Sequence, residues 1–174
     1  MKKIILGTLV SIVLAGCTAT TTTLNPKTTV SGFDQTKRVT IDPHGAACTS
    51  MSCTSIGATW VSNYPNDVGI SIFLMNNMAS IQSVDFNIDG EIVTLKSHSL
   101  TNFEIPKYSL TGTSQKTFIT SYSIITRILN SKRSWVRVHT SSGLIEDAII
   151  DGAKDSKAYN ALKKFDKEVE LSKR

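Results

Sequence analysis

The stretch Val84-Asp85-Phe86-Asn87-Ile88-Asp89-Gly90-Glu91-Ile92-Val93-Thr94-Leu95 decides the fold class. Asp-Gly between two alternating runs signals a type I′ turn, because both central positions need positive φ. A two-residue loop also sets the register. Ile88 then faces Glu91, Phe86 faces Val93 and Val84 faces Leu95. The last two are apolar cross-strand pairs on one face. Turn chemistry and face pattern agree on an antiparallel hairpin.

Upstream, Arg38 to Asp42 alternates, with Val39 and Ile41 on one face, and Pro43-His44-Gly45 is expected to break the run. Gly57 to Ser62 reads as a strand carrying Trp60 and Val61. Val68 to Met75 places Ile70, Ile72 and Leu74 on one side and Phe73 and Met75 on the other. Apolar residues on both sides predict a central strand covered on both faces. Downstream, Thr113 to Asn130 switches period. Phe118, Tyr122, Ile125 and Leu129 recur at four, three and four residues, which predicts an amphipathic helix with Ser114 or Thr117 at its start. Its β-branched content leaves the holding of that helix to tertiary packing.

Trp135–His139 and Leu144–Ile150 read as a second hairpin, turning at Thr140-Ser141-Ser142-Gly143. Val136 and Val138 share one face; Trp135, Arg137 and His139 share the other. A closing helix starts at Asp155 or Ser156, with Ala158, Leu162, Phe165 and Val169 as its apolar stripe and Lys163, Lys164 and Lys167 off it. The expected fold class is α+β: an antiparallel β-sheet with two amphipathic helices packed on it.

The first residues of the 174-residue chain are not fold. Met1-Lys2-Lys3 is basic, Ile4 to Ala15 is almost wholly apolar, and Leu14-Ala15-Gly16-Cys17 closes the run. This is the pattern of a secretory signal. The run is too short to cross a bilayer, which takes about 20 residues. Leu14-Ala15-Gly16-Cys17 resembles the lipobox of bacterial lipoproteins. The resemblance implies a diacylglycerol on the Cys17 thiol, cleavage before Cys17, and acylation of the new amino terminus. Two or more acyl chains anchor a protein stably, whereas one is marginal. Thr18, in place of the Asp that retains Gram-negative lipoproteins in the inner membrane, implies the outer membrane. The expected organisation is a signal peptide at 1–16, the lipidated cysteine and a Thr-rich flexible tether at 17–32, and a single domain at 33–174. Such a tether spans roughly 20 Å on average.

The chain carries 19 basic and 14 acidic side chains, and loss of Lys2 and Lys3 leaves a net charge of +3. Export removes the chain from nucleic acid. The expected partners are the membrane, through the lipid, and an envelope protein or cell-wall component. Cys48 and Cys53 are expected to pair, because an exported chain meets an oxidising compartment. Closing so short a loop contributes about 2 kcal/mol in the chain-entropy model.

No metal or cofactor is expected. His44-x3-Cys48-x4-Cys53, with a distant His98 or His139, matches no common zinc spacing. Asp85, Asn87 and Asp89 lack the spacing of a calcium loop. Gly-x-Ser-x-Gly, Ser-x-x-Lys and His-Glu-x-x-His are all absent from the sequence. Two weaker features remain. Asp42-Pro43-His44-Gly45 puts a carboxylate and an imidazole beside the disulfide. Trp135, Arg137 and His139 offer an aromatic ring, a cation and an imidazole to an anionic or sugar ligand. The leading expectation is a non-enzymatic binding or structural module. The alternatives are an envelope hydrolase or accessory enzyme, which needs two of Asp42, His44 and His139 in one cleft, and a small inhibitor of an enzyme such as a host lysozyme, acting through the Cys48–Cys53 loop.

Overall fold

The computed structural model describes residues 24–48, 50–97, 99–105 and 111–174. The expected signal segment, Cys17 and the tether up to residue 23 lie outside these residues, as do Thr49, His98 and residues 106–110. In chain order the elements are β1 (Lys27–Val30), β2 (Lys37–Gly45), β3 (Cys53–Val61), β4 (Asp67–Met75), β5 (Ile81–Ile88), β6 (Glu91–Lys96), β7 (Asn102–Glu104), β8 (Thr113–Ser121), α1 (Ser123–Asn130), β9 (Arg133–Thr140), β10 (Gly143–Asp151), β11 (Lys154–Asp155) and α2 (Lys157–Ser172). Neighbouring strands pair antiparallel in two sheets, ordered β1-β2-β3-β4-β8-β7 and β11-β10-β9-β5-β6. The α+β class holds in this form: mostly antiparallel sheet, with two helices.

The β5–β6 hairpin has the register its turn dictates: Ile88 opposite Glu91, Phe86 opposite Val93, Val84 opposite Leu95. Asp89 and Gly90 take φ of 50° and 97°, the positive values a type I′ turn requires. The β9–β10 hairpin pairs Thr140 with Gly143. Inward side chains of both sheets and of α2 form one apolar cluster, among them Trp60, Ile70, Phe86, Phe118, Val138 and Phe165. The sheets are stitched at one corner, where Ala47 N–H donates to the Ala148 carbonyl at 2.8 Å. Beside it, Thr54 N–H donates to the fully buried Asp147 carboxylate at 2.8 Å. Ser156 caps α2 by accepting from Tyr159 N–H, satisfying one of the donors a helix start leaves open. The helix runs along β2 and β3 and touches α1 and β10.

Four sequence expectations need correction. The helix expected over Thr113–Asn130 is a strand followed by a helix. Ser114, Lys116 and Phe118 are buried while Thr117 and Ile119 are exposed, the two-residue alternation of β8. A spacing of four, as between Phe118 and Tyr122, fits a strand as well as a helix, so it does not separate the two periods. Only Ser123–Asn130 is helical; it buries Ile124, Ile125 and Ile128 and has no side-chain cap. Second, Pro43-His44-Gly45 does not end β2. The register slips between Ile41 and His44, and this bulge accommodates a proline that cannot donate to the ladder. Gly57 makes room for the bulge: a Cβ there would lie 2.8 Å from the Ile41 carbonyl oxygen.

Third, β4 is covered on one face alone. Val68, Ile70, Ile72 and Leu74 are buried, but Phe73 is half-buried and Met75 exposed. Fourth, residues 24–32, read as tether, are carried on the domain. There β1 pairs with β2, Thr28 Oγ1 donates to Glu168 at 2.6 Å, and Lys164 Nζ donates to Asn25 Oδ1 at 3.2 Å.

Candidate functional site

Alternation along β9 sends Ser134, Val136, Val138 and Thr140 into the core and leaves Arg133, Trp135, Arg137 and His139 on the outer face. The neighbouring strands supply carboxylates to that face. Arg137 stands opposite Asp85 of β5 on one side and Glu146 of β10 on the other. Its Nε donates to Glu146 Oε1 at 2.5 Å. His139 Nε2 lies 2.7 Å from Asp85 Oδ2, and Thr94 Oγ1 donates to Asp85 Oδ1, also at 2.7 Å. Burial pushes the Asp85 carboxyl up. Hydrogen bonds from Thr94 and His139 and the charges of His139 and Arg137 together outweigh it, leaving the group below the ordinary carboxylate range.

Trp135 is half-buried, and its indole N–H donates to Asp151 Oδ2 at 3.1 Å. The Arg133 guanidinium lies 5.2 Å from the indole ring and pairs with the same aspartate at 3.5 Å. Between these groups is an open recess of about 310 Å³ lined by Asp85, Asn87, Ile92, Arg133, Trp135, Val136, Arg137 and Glu146. Ile92, on β6, is 58% exposed at its edge. The structure thus brings Trp135 and Arg137 together in one recess, with His139 held beside it through Asp85.

His44 is elsewhere. It belongs to the six-stranded sheet, is 5% exposed, and its Nε2 has no hydrogen-bond partner. Burial holds its pKa below the ordinary 6.5, outweighing the opposing pull of Asp42. The Asp42 carboxylate pairs with Lys27 at 3.2 Å. The cleft uniting Asp42 or His44 with His139 is therefore not formed: His139 occupies the outer face of the other sheet. Cys48 and Cys53 are bonded, their Cα atoms 5.2 Å apart, and Met51 at the tip of the loop is 90% exposed. Asp85, Asn87 and Asp89 point to separate tasks. Asn87 accepts from Gly90 N–H at 2.9 Å, and Asp89 accepts from the backbone N–H groups of Lys132 and Arg133.

Sequence reading missed Asp85, Glu146, Asp151, Arg133 and Ile92 as parts of this face. The available signal was the strand register of both hairpins, which sets Glu146 against Arg137. The pairing of β5 with β9 spans the whole segment between the hairpins and leaves no local trace.

Thr94 and His139 both bond to Asp85, one on each oxygen. In a nucleophilic triad the imidazole sits between hydroxyl and carboxylate; here the carboxylate sits between them, so the imidazole does not activate the hydroxyl. Among the described residues no group of three or more His, Cys, Asp or Glu could hold a metal ion. No protein-family model matches the chain, and no curated protein or solved structure matches it.

Proposed function

We propose that this chain is the precursor of a bacterial envelope lipoprotein, anchored through Cys17, whose domain is a non-catalytic module that docks an envelope protein on the outer face of the β11-β10-β9-β5-β6 sheet. In this reading the two amphipathic helices pack on the sheets as a scaffold, and the working surface is strand. The lipobox and the basic, apolar start support export, lipidation and residence in the outer membrane.

The observation that carries the docking role is the recess itself. Trp135 and two arginines line it, residue types enriched at energetic centres of protein interfaces, and the exposed Ile92 adds apolar surface at its edge. The cations are already aligned by Glu146 and Asp151, so less side-chain entropy remains to be lost on binding. A photo-crosslinking residue in place of Ile92, in intact cells, is expected to capture one envelope protein. No adduct from Ile92, together with turnover of an envelope substrate by the pure protein, would reverse the reading. Labelled palmitate is expected to enter the native chain and not the Cys17→Ser variant.

One observation favours the inhibitor reading: Met51, beside the Cys48–Cys53 disulfide, is 90% exposed, a side chain an enzyme cleft could accept. Lysozyme activity that is unchanged by a large excess of the protein removes it.

A further inference from the structure

Helix α2 buries Ala158, Ala161, Leu162, Phe165 and Val169. Its opposite side exposes Lys163, Lys164, Lys167 and Leu171. Among the described residues, Lys163, Lys164 and Lys167 have no carboxylate partner. The acids nearby in sequence are engaged: Asp166 accepts from Tyr122 Oη at 2.9 Å, Glu168 from Thr28 at 2.6 Å, and Glu170 pairs with Lys173 at 2.7 Å. Asp166 and Glu168 keep their charge but are half-buried, whereas the three lysines are exposed, so the outer stripe presents lysine with one leucine, and lysines beside a membrane are drawn to anionic headgroups.

A second observation places this stripe beside the chain's entry into the domain. Lys164 Nζ donates to Asn25 Oδ1 at 3.2 Å, and Asn25, Pro26, Lys164, Lys167, Glu168 and Leu171 border one recess, with Glu168 turned to the Thr28 hydroxyl. Asn25 follows Cys17 by eight residues, a contour of at most about 29 Å. We propose that the Lys163–Lys164–Lys167 stripe of α2 is an anionic-lipid-binding surface that holds the domain in one orientation on the membrane to which Cys17 is anchored. The inference rests on that anchor. The acyl chains supply retention, and the stripe selects which side of the domain meets the headgroups. Each lysine near an anionic surface multiplies the preference by roughly fivefold, so three give roughly a hundredfold at low ionic strength.

The test uses the mature protein purified from membranes and reconstituted on vesicles of phosphatidylethanolamine with phosphatidylglycerol, or of phosphatidylcholine alone. An amine-acetylating reagent reads each lysine by mass spectrometry, with Lys96 and Lys132, both exposed on strand β6 and before β9, as internal references. On the anionic vesicles Lys163, Lys164 and Lys167 are expected to react at least severalfold more slowly than on phosphatidylcholine, the references are expected not to change, and high salt is expected to erase the difference. Equal rates on both vesicles overturn the proposal. So does protection by purified peptidoglycan in place of vesicles, or protection that rises with protein concentration when no vesicles are present. The intact mass of the same sample tests the anchor separately: absence of acyl chains on Cys17 refutes the lipoprotein reading whatever the labelling pattern.

Discussion

Asp85 and His139 meet diagonally across the β5–β9 pairing with Oδ2 and Nε2 2.7 Å apart, although 54 positions separate them in the chain. Asp85 also accepts from Thr94 on β6, so this one carboxylate ties together three adjacent strands of the sheet that carries the candidate site.

Asp85→Ala leaves the Thr94 hydroxyl and the imidazole without their acceptor. A stability loss of about 1–3 kcal/mol is expected, read as the urea midpoint at neutral pH. The acid limb tests the sign. The folded state holds Asp85 below its ordinary value of 3.8, so the group's contribution is present above about pH 4 and is lost as pH falls through the folded value. The variant's stability profile should be flatter there than the parent's.

His44 gives a second pH window, nearer neutrality. Its folded pKa lies below 6.5 because burial disfavours the charged imidazolium, with Lys157 and Lys164 adding to the effect and Asp42 opposing it. The unfolded chain takes up the proton first, so stability is undiminished above pH 6.5 and falls as pH drops from there toward the folded value. His44→Leu should remove this part of the pH dependence, measured as the thermal midpoint across that range. An unchanged slope in the variant argues against the buried neutral imidazole.

Gly57→Ala tests the bulge in β2. The added methyl meets the Ile41 carbonyl oxygen at 2.8 Å and the Pro43 nitrogen at 3.0 Å, both of them backbone atoms with no rotamer to move. A loss of about 1–3 kcal/mol is expected from the forced backbone shift. A variant as stable as the parent by chemical unfolding would mean that the strand relaxes freely.

Trp135→Ala tests the docking face. Truncating a central aromatic anchor commonly costs 2 kcal/mol or more of binding, so capture of the partner by a probe at position 92 should fall at least about tenfold. Ile119→Ser serves as the control. Ile119 is 79% exposed on the outer face of the other sheet, and its loss should leave capture unchanged.

Legibility from sequence followed the range of the interaction. The Asp89-Gly90 turn and the Thr140–Gly143 turn are decided within a few residues and were readable, and the α2 start was narrowed to Asp155 or Ser156, of which Ser156 is the cap. Phe118 and Tyr122 were not, because a spacing of four satisfies both periods; pairing with β4 makes the first half of that segment a strand. The outward placement of Trp135, Arg137 and His139 followed from alternation alone. Their carboxylate partners on β5 did not, since nothing local specifies that β5 lies beside β9.

From the sequence alone came the register of the Asp89-Gly90 hairpin, the faces of β9 and the stripe of α2, because turn dihedrals and side-chain periodicity are properties of contiguous chain. Tertiary structure decided that Asp85 meets His139, that His44 is enclosed away from both, and that Asn25 lands on Lys164. Those are long-range pairings, chosen by the burial of one shared apolar core rather than by any neighbouring residue, and the core's geometry exists only once all the strands are in place.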